Sequence, residues 1–143
     1  MTAPQPDIRA CFDSELKNLL PQLNLTASQV AWFNAKFSPD VKKLYIKPTL
    51  LLSPTQQVSL GTNGFERVSG IYQISIFALR DVGSASFEAV ARGVINYFRA
   101  GTKLVYSGVE ITVQTSYSGT PLEQEDRVLL PVSIVWFCYV ERS

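Results

Sequence analysis

The chain has 143 residues, 46% of them hydrophobic and 17% charged, with 13 basic residues against 12 acidic ones for a net charge of +1. That length suits one domain able to bury roughly two-thirds of its unfolded surface, and the composition excludes a disordered chain. The near-neutral balance gives no general electrostatic reason to bind nucleic acid, and the absence of histidine removes the commonest general base and metal ligand.

Residues 7–20 place Ile8, Cys11, Phe12, Leu16, Leu19 and Leu20 on one helical face, with Pro6 and Asp7 at its start and Pro21 as its stop. Residues 1–6 read as a flexible N-terminus. They lack the basic start and apolar core of a signal peptide, and no apolar run approaches the roughly 18 residues of a membrane span. A reduced, soluble, cytoplasmic-type protein is therefore expected, in which Asn24-Leu25-Thr26 matches the glycosylation pattern by chance. A less regular stretch follows, with a short strand or extended arm near Val30–Phe33, ended by Pro39.

Residues 43–52 read as a strand, yet Pro48 stands inside it without an N–H for a ladder, so an edge position is expected. A long polar connection with Gly61 and Gly64 comes next, holding at most a short strand at Gln57–Leu60. Residues 66–79 alternate well through Val68, Ile71 or Tyr72, Ile74, Ile76 and Leu79, with a slip at Gly70 that predicts a bulge. Ser84 is a candidate N-cap for a helix that repeats Phe87, Val90, Ala91, Val94, Ile95 and Phe98 and ends by Gly101. Gly93 inside that helix costs about 1 kcal/mol against alanine, which suggests a close approach to the sheet. Residues 103–117 form a hairpin through Ser107-Gly108, then a polar loop leads to a long final strand from Arg127 that carries Pro131 early. The expected fold is α+β, a mostly antiparallel twisted sheet packed by two main helices in the order α-β-β-α-β-β-β, as one domain over residues 1–143.

Chemistry finds little footing. The serines have no histidine to activate them, and Gly61-Thr62-Asn63-Gly64 is followed by a strand where a phosphate cradle needs a helix. Cys11 and Cys138, near opposite ends, read as two buried thiols and cannot make a zinc site alone. Glu123, Glu125 and Asp126 could offer oxygens to a divalent cation, but without calcium-loop spacing a solvated hairpin tip is the plainer reading. Lys36, Lys42, Lys43 and Lys47 suit a solvated edge, or contact with an acidic partner or passing DNA. Trp32-Phe33 and Trp136-Phe137 are adjacent aromatic pairs, either covered by neighbouring segments or exposing one member at a protein interface. No catalytic residue, cofactor or metal is expected.

The order of segments from "VAWFNAKFSPD" through "KKLYIKPTLLL" to "QQVSLGTNGFERVSGIYQISIFA" resembles the tail terminator proteins of long-tailed bacteriophages. The pattern runs from an aromatic-Asn-x-x-Phe-x-Pro stretch (Trp32 to Pro39) to a Tyr-hydrophobe-basic-x-Thr-Leu-Leu strand (Tyr45 to Leu51). An Arg-x-x-Gly-hydrophobe-Tyr-Gln-hydrophobe strand follows (Arg67 to Ile74), and a Pro-Val-Ser-Ile strand closes it (Pro131 to Ile134). The likeness spans about residues 7–140. At "SPTQQ" family members more often carry an Ala-Glu type stretch, so that connection is expected to be variable.

What the resemblance implies is a non-enzymatic virion protein, assembled in the host cytoplasm, at the neck end of the tail. It would form a hexameric ring on the tail tube protein, stop tube polymerisation and present the surface that meets the head-tail connector. DNA would pass through the lumen without specific binding, and no membrane would be involved. The alternative is a head-completion or neck connector protein of the same virion. A ring needs head-to-tail contacts, which an edge strand can supply. The expected subunit or tube interface is therefore Tyr45, Lys47, Pro48, Leu50, Leu52, Gln56, Gln57 and Asn63, with Glu123, Glu125 and Asp126 on an exposed loop toward the lumen.

Overall fold

A computed structural model describes residues 5–33, 35–39, 43–53, 56–57, 65–80, 85–106 and 108–141. The first amphipathic run forms α1 (Gln5–Leu19), which already includes residues 5 and 6 of the arm expected ahead of it. Ile8, Cys11, Phe12, Leu16 and Leu19 are all buried along one side. Pro21 does not end helical geometry outright: the chain tightens into a 3-10 turn at Leu20–Leu23. Asn24 closes that turn at φ +59°, a left-handed conformation that asparagine tolerates better than most residues. A second 3-10 turn, Ala27–Gln29, leads to an extended arm that pairs with the sheet at a parallel bridge, Val30 to Ile46.

The strands are β1 (Tyr45–Leu52), β2 (Gln56–Gln57), β3 (Phe65–Leu79), β4 (Lys103–Tyr106), β5 (Val109–Ser118), β6 (Leu122–Glu123) and β7 (Arg127–Glu141). All pair antiparallel, in the order β1-β3-β7-β5-β4, with β2 also on β3 and β6 also on β7. The helix α2 (Ala85–Tyr97) lies between β3 and β4 in sequence. The two short strands β2 and β6 aside, this is the expected α-β-β-α-β-β-β order, and the fold is α+β.

Both helices cover one face. Phe12 stacks on Tyr72 of β3 at 4.6 Å and 14°, and tilts against Phe98 beyond α2 at 6.1 Å and Trp136 of β7 at 5.8 Å. One continuous apolar cluster joins α1, α2 and the inner positions of every long strand. The opposite sheet face carries Ile71, Gln73, Ser133, Val135 and Phe137, half-buried, and Tyr139 and Tyr117, exposed.

Two local expectations are corrected. There is no bulge at Gly70: the β3–β7 register runs unbroken from Phe65–Glu141 to Leu79–Arg127. Val68, Gly70, Tyr72, Ile74, Ile76 and Ala78 all face the helices, so the apparent slip was only a core-facing position without a side chain. A Cβ there would lie 2.2 Å from the Leu51 carbonyl oxygen and 3.1 Å from the Trp136 ring, so glycine lets β1 and Trp136 close in together. The irregularity sits instead in β5, between Val113 and Thr115. It switches the inward positions from Ile111 and Val113 to those opposite Ile134 and Val132, and turns Tyr117 outward. Gly93 makes its close approach not to the sheet but to Leu23, whose side chain a Cβ would meet at 2.4 Å.

Pro131 lies in a strand with neighbours on both sides, but its carbonyl accepts from Gly119 N–H at 2.8 Å. Its ring nitrogen therefore faces the gap between the β5 pairing, which ends at Ser118–Val132, and the β6 pairing, which starts at Leu122–Leu129. No ladder donor is needed there. The hairpin turns at Gly108 with φ +83°, as its sequence suggests. The proposed cap Ser84 lies outside the described residues.

Candidate assembly surface

Among the described residues the strand β1 is an edge of the main sheet, paired with β3 alone apart from the Val30 bridge. Ile46 shows which way its backbone points. Its carbonyl accepts from Ala31 N–H at 2.8 Å, on the side away from β3. Alternation by two then turns the backbone groups of Pro48, Leu50 and Leu52 to the same open side. The N–H that Pro48 lacks is one that would have faced outward. Beyond it, Leu50 and Leu52 offer both donor and acceptor.

The side chains of β1 divide between two faces. Toward the helices, Ile46 and Pro48 are buried, Leu50 is half-buried and Leu52 is 49% exposed. On the other face Tyr45 stacks on Phe77 at 4.7 Å and 12°, with Phe37 at 5.0 Å and the Arg127 guanidinium 5.1 Å from its ring. Lys47 is exposed, and Leu51 is 46% exposed. Gln56 and Gln57, as β2, continue the same flank of β3 opposite Arg67 and Glu66. The strand thus gathers Tyr45, Lys47, Pro48, Leu50 and Leu52 on one edge, with Gln56 and Gln57 farther along it. Asn63 and Lys42 lie outside the described residues.

The arm at residues 31–33 and 35–37 borders β1 with an open groove of about 590 Å³, lined by Trp32, Phe33, Phe37, Tyr45, Pro48 and Phe77 among others. Of the adjacent aromatics, Trp136 is fully buried and Phe137 packs beneath the Arg67 guanidinium at 4.6 Å. Trp32 packs against the core with the Lys17 ammonium 5.3 Å from its ring. Phe33 remains 65% exposed beneath the Arg9 guanidinium at 4.1 Å. Two cation–π contacts thus tie the arm to α1, each contributing about 0.5–1 kcal/mol at such exposure.

Glu123, Glu125 and Asp126 are exposed at the turn between β6 and β7. Arg80 at the end of β3 holds the loop, reaching the Glu123 carboxylate at 3.0 Å and the Glu125 carbonyl at 3.0 Å. At this exposure the ion pair contributes only about 0–1 kcal/mol, so it orients the loop more than it stabilises the domain. Among the described residues no three His, Cys, Asp or Glu side chains are grouped to hold a metal ion.

The remaining polar chemistry anchors α1. Tyr72 Oη donates to Asp13 at 2.5 Å and Tyr97 Oη donates to Glu15 at 2.6 Å. Burial, then the Glu15 carboxylate, pushes Tyr97 up to about 12, while burial followed by Asp13 raises Tyr72. Burial also pushes the Cys11 and Cys138 thiols up to about 11 from an ordinary 9.0. All of these groups are held neutral by the folded state, whereas the unfolded chain ionises its thiols near 9.0 and its tyrosines near 10.0. Their stabilisation is complete below about pH 9 and is lost as pH rises through 9–11 for the thiols and 10–12 for Tyr97. The urea midpoint is expected to stay level from pH 7 to about 8.5 and then fall; a midpoint unchanged at pH 10.5 would contradict the neutral buried assignment.

Several exposed apolar residues escape the sequence reading: Leu51, Val105, Tyr106, Leu122 and Tyr139 are between 39% and 66% exposed. A signal for Leu51 exists, since in a run of three leucines on a strand one must face opposite to its neighbours. Val105 carries no such signal, because its exposure follows from β4 being the far edge of the sheet.

A family model described as phage tail terminator protein matches residues 7–136. No curated protein matches the chain. A solved structure with no stated function is similar at TM-score 0.70 and 21% identity, over 94% of each chain. A chain from a structure described as the virion of a native gene transfer agent particle is similar at TM-score 0.56 and 19% identity, over 99% of each chain. At these identities the two structures speak to the fold alone.

Proposed function

The chain belongs to the phage tail terminator family, and from that premise we propose that it caps the tail tube as a hexameric ring. In this reading it binds the last ring of tube protein, ends polymerisation and presents the surface that receives the connector at the neck. It assembles in the host cytoplasm and remains in the virion as a structural, non-enzymatic part.

The observation that carries the reading is the open edge of β1. Among the described residues nothing pairs the backbone groups that Leu50 and Leu52 turn outward, and Leu51 and Leu52 add exposed apolar surface beside them. A solitary domain usually blocks such an edge with charge or a bulge. A ring subunit needs it, because each contact joins one surface to a different surface of the next copy. Tyr45, Lys47, Pro48, Leu50, Leu52, Gln56, Gln57 and Asn63 belong to this subunit or tube interface. Tail length in lysates lacking the protein tests the reading.

Glu123, Glu125 and Asp126 face the lumen in this proposal, where like charge keeps passing DNA phosphate from adhering. Replacing all three by lysine is expected to slow DNA ejection with little change in stability, since the Arg80–Glu123 pair is exposed. Ejection at the unaltered rate would rule out a lumen position for the loop.

A further inference from the structure

We propose that Thr49–Leu52 of β1 pairs with Lys103–Tyr106 of β4 from a second copy, as parallel strands with Leu51 beside Val105 and Leu52 beside Tyr106. The inference deepens the ring proposal above and rests on it for closure.

The main path β1-β3-β7-β5-β4 has five strands, antiparallel at every step, so its two edges run in the same direction. Copies related by rotation about a ring axis keep a strand's sense along that axis. Joining one edge to the other therefore makes a parallel pair, and a head-to-tail one.

The two stretches left free among the described residues have the same length. On β1, Ile46 is already occupied by Ala31, and Pro48 has no donor, so the open ladder begins after Pro48 and holds four residues. The whole of β4 is four residues long. Pro48 thus sets where the pairing starts.

Backbone direction agrees as well. Val113 N–H donates to the Thr102 carbonyl, so Thr102, Leu104 and Tyr106 turn their groups toward β5. Lys103 and Val105 turn theirs outward. In a parallel ladder a residue bonds to the two that flank its level partner. Leu50, level with Leu104, lies between Lys103 and Val105 as that pattern needs.

Side chains then match face by face. Half-buried Leu50 meets buried Leu104 on the helix side. Leu51, 46% exposed, meets Val105, 66% exposed, on the open face. Leu52, 49% exposed, meets Tyr106, 39% exposed, on the helix side. Each free edge carries the apolar surface that the other lacks a cover for.

The test is a chain carrying both Leu51→Cys and Val105→Cys, assembled into virions and oxidised. Adjacent strands lie about 4.8 Å apart, within disulfide range, and native Cys11 and Cys138 are buried. A ladder of covalent multimers on a non-reducing gel is expected from the double variant, and none from either single variant. Val105→Lys, at an exposed side chain, is expected to leave the circular dichroism and melting temperature unchanged while abolishing tail termination. If no ladder forms and Val105→Lys virions have tails of normal length, the edge pairing is wrong although the terminator reading stands. A disulfide to the tube protein in place of the ladder would equally overturn it. Normal-length tails without the protein would instead remove the terminator reading, whatever the gel shows.

Discussion

Phe12→Ala is expected to lower stability by about 3–5 kcal/mol, the range for truncating a fully buried aromatic. Phe12 is 0% exposed and its ring meets Tyr72, Phe98 and Trp136, one each from β3, the end of α2 and β7. Removing it leaves a cavity where α1 is bound to the rest of the core, and aromatic contacts of about 0.5–1.5 kcal/mol each go with it. A domain of this size holds about 5–15 kcal/mol in all, so the loss is a large share. The melting temperature is expected to fall by roughly 10 °C or more. Phe33→Ala is the control, because Phe33 is 65% exposed and contributes mainly its contact with Arg9. If the two variants melt within a degree of each other, the core is not organised around Phe12.

Gly70→Ala is expected to destabilise by about 1–3 kcal/mol, the usual cost of overpacking, and to act locally on β1. In an unobstructed strand the same change would stabilise by about 0.4–1 kcal/mol through the unfolded chain, so the sign is informative. Here the added Cβ would lie 2.2 Å from a backbone oxygen of β1, which cannot rotate away as a side chain could. Relief requires β1 to move off β3. Hydrogen exchange at Leu51 and Ser53, whose amides face β3, should accelerate more than exchange in the β3–β7 ladder. A stabilised protein, or uniform acceleration, would show that the close approach is not constraining. In the proposed ring the β1 edge depends on this glycine, since a displaced β1 would present Leu50 and Leu52 in the wrong place.

The helices were legible in the sequence because their apolar positions recur at 3.6-residue spacing and one face of each is buried. The edge position of β1 was legible from Pro48 alone. The role of Gly70 was not, because the signal of a bulge and that of a missing side chain at an inward position are the same break in alternation. Trp136, its partner across β7, lies 66 residues away and gives no local sign. The strand β6 was hidden for a related reason: two residues in a polar loop carry no periodicity, and only pairing with β7 makes them a strand.

Of the proposed assembly surface, Tyr45 through Leu52 is readable from sequence as a segment, but its division into two faces is not. For Leu51 the leucine run shows that its side chain faces opposite to Leu50 and Leu52, but not which face is open. Val105 and Tyr106 carry no local sign, because which hairpin strand becomes a sheet edge is decided by the whole topology. Sequence thus points to one sheet edge, through Pro48, and only the fold reveals the other.

In the proposed function this protein ends tail growth, and the decisive measurement is electron microscopy of lysates from phage carrying a nonsense mutation in its gene. Overlong, headless tails beside filled capsids are expected. Tails of normal length beside capsids that lose their DNA would contradict it, and would put the protein on the head side of the joint.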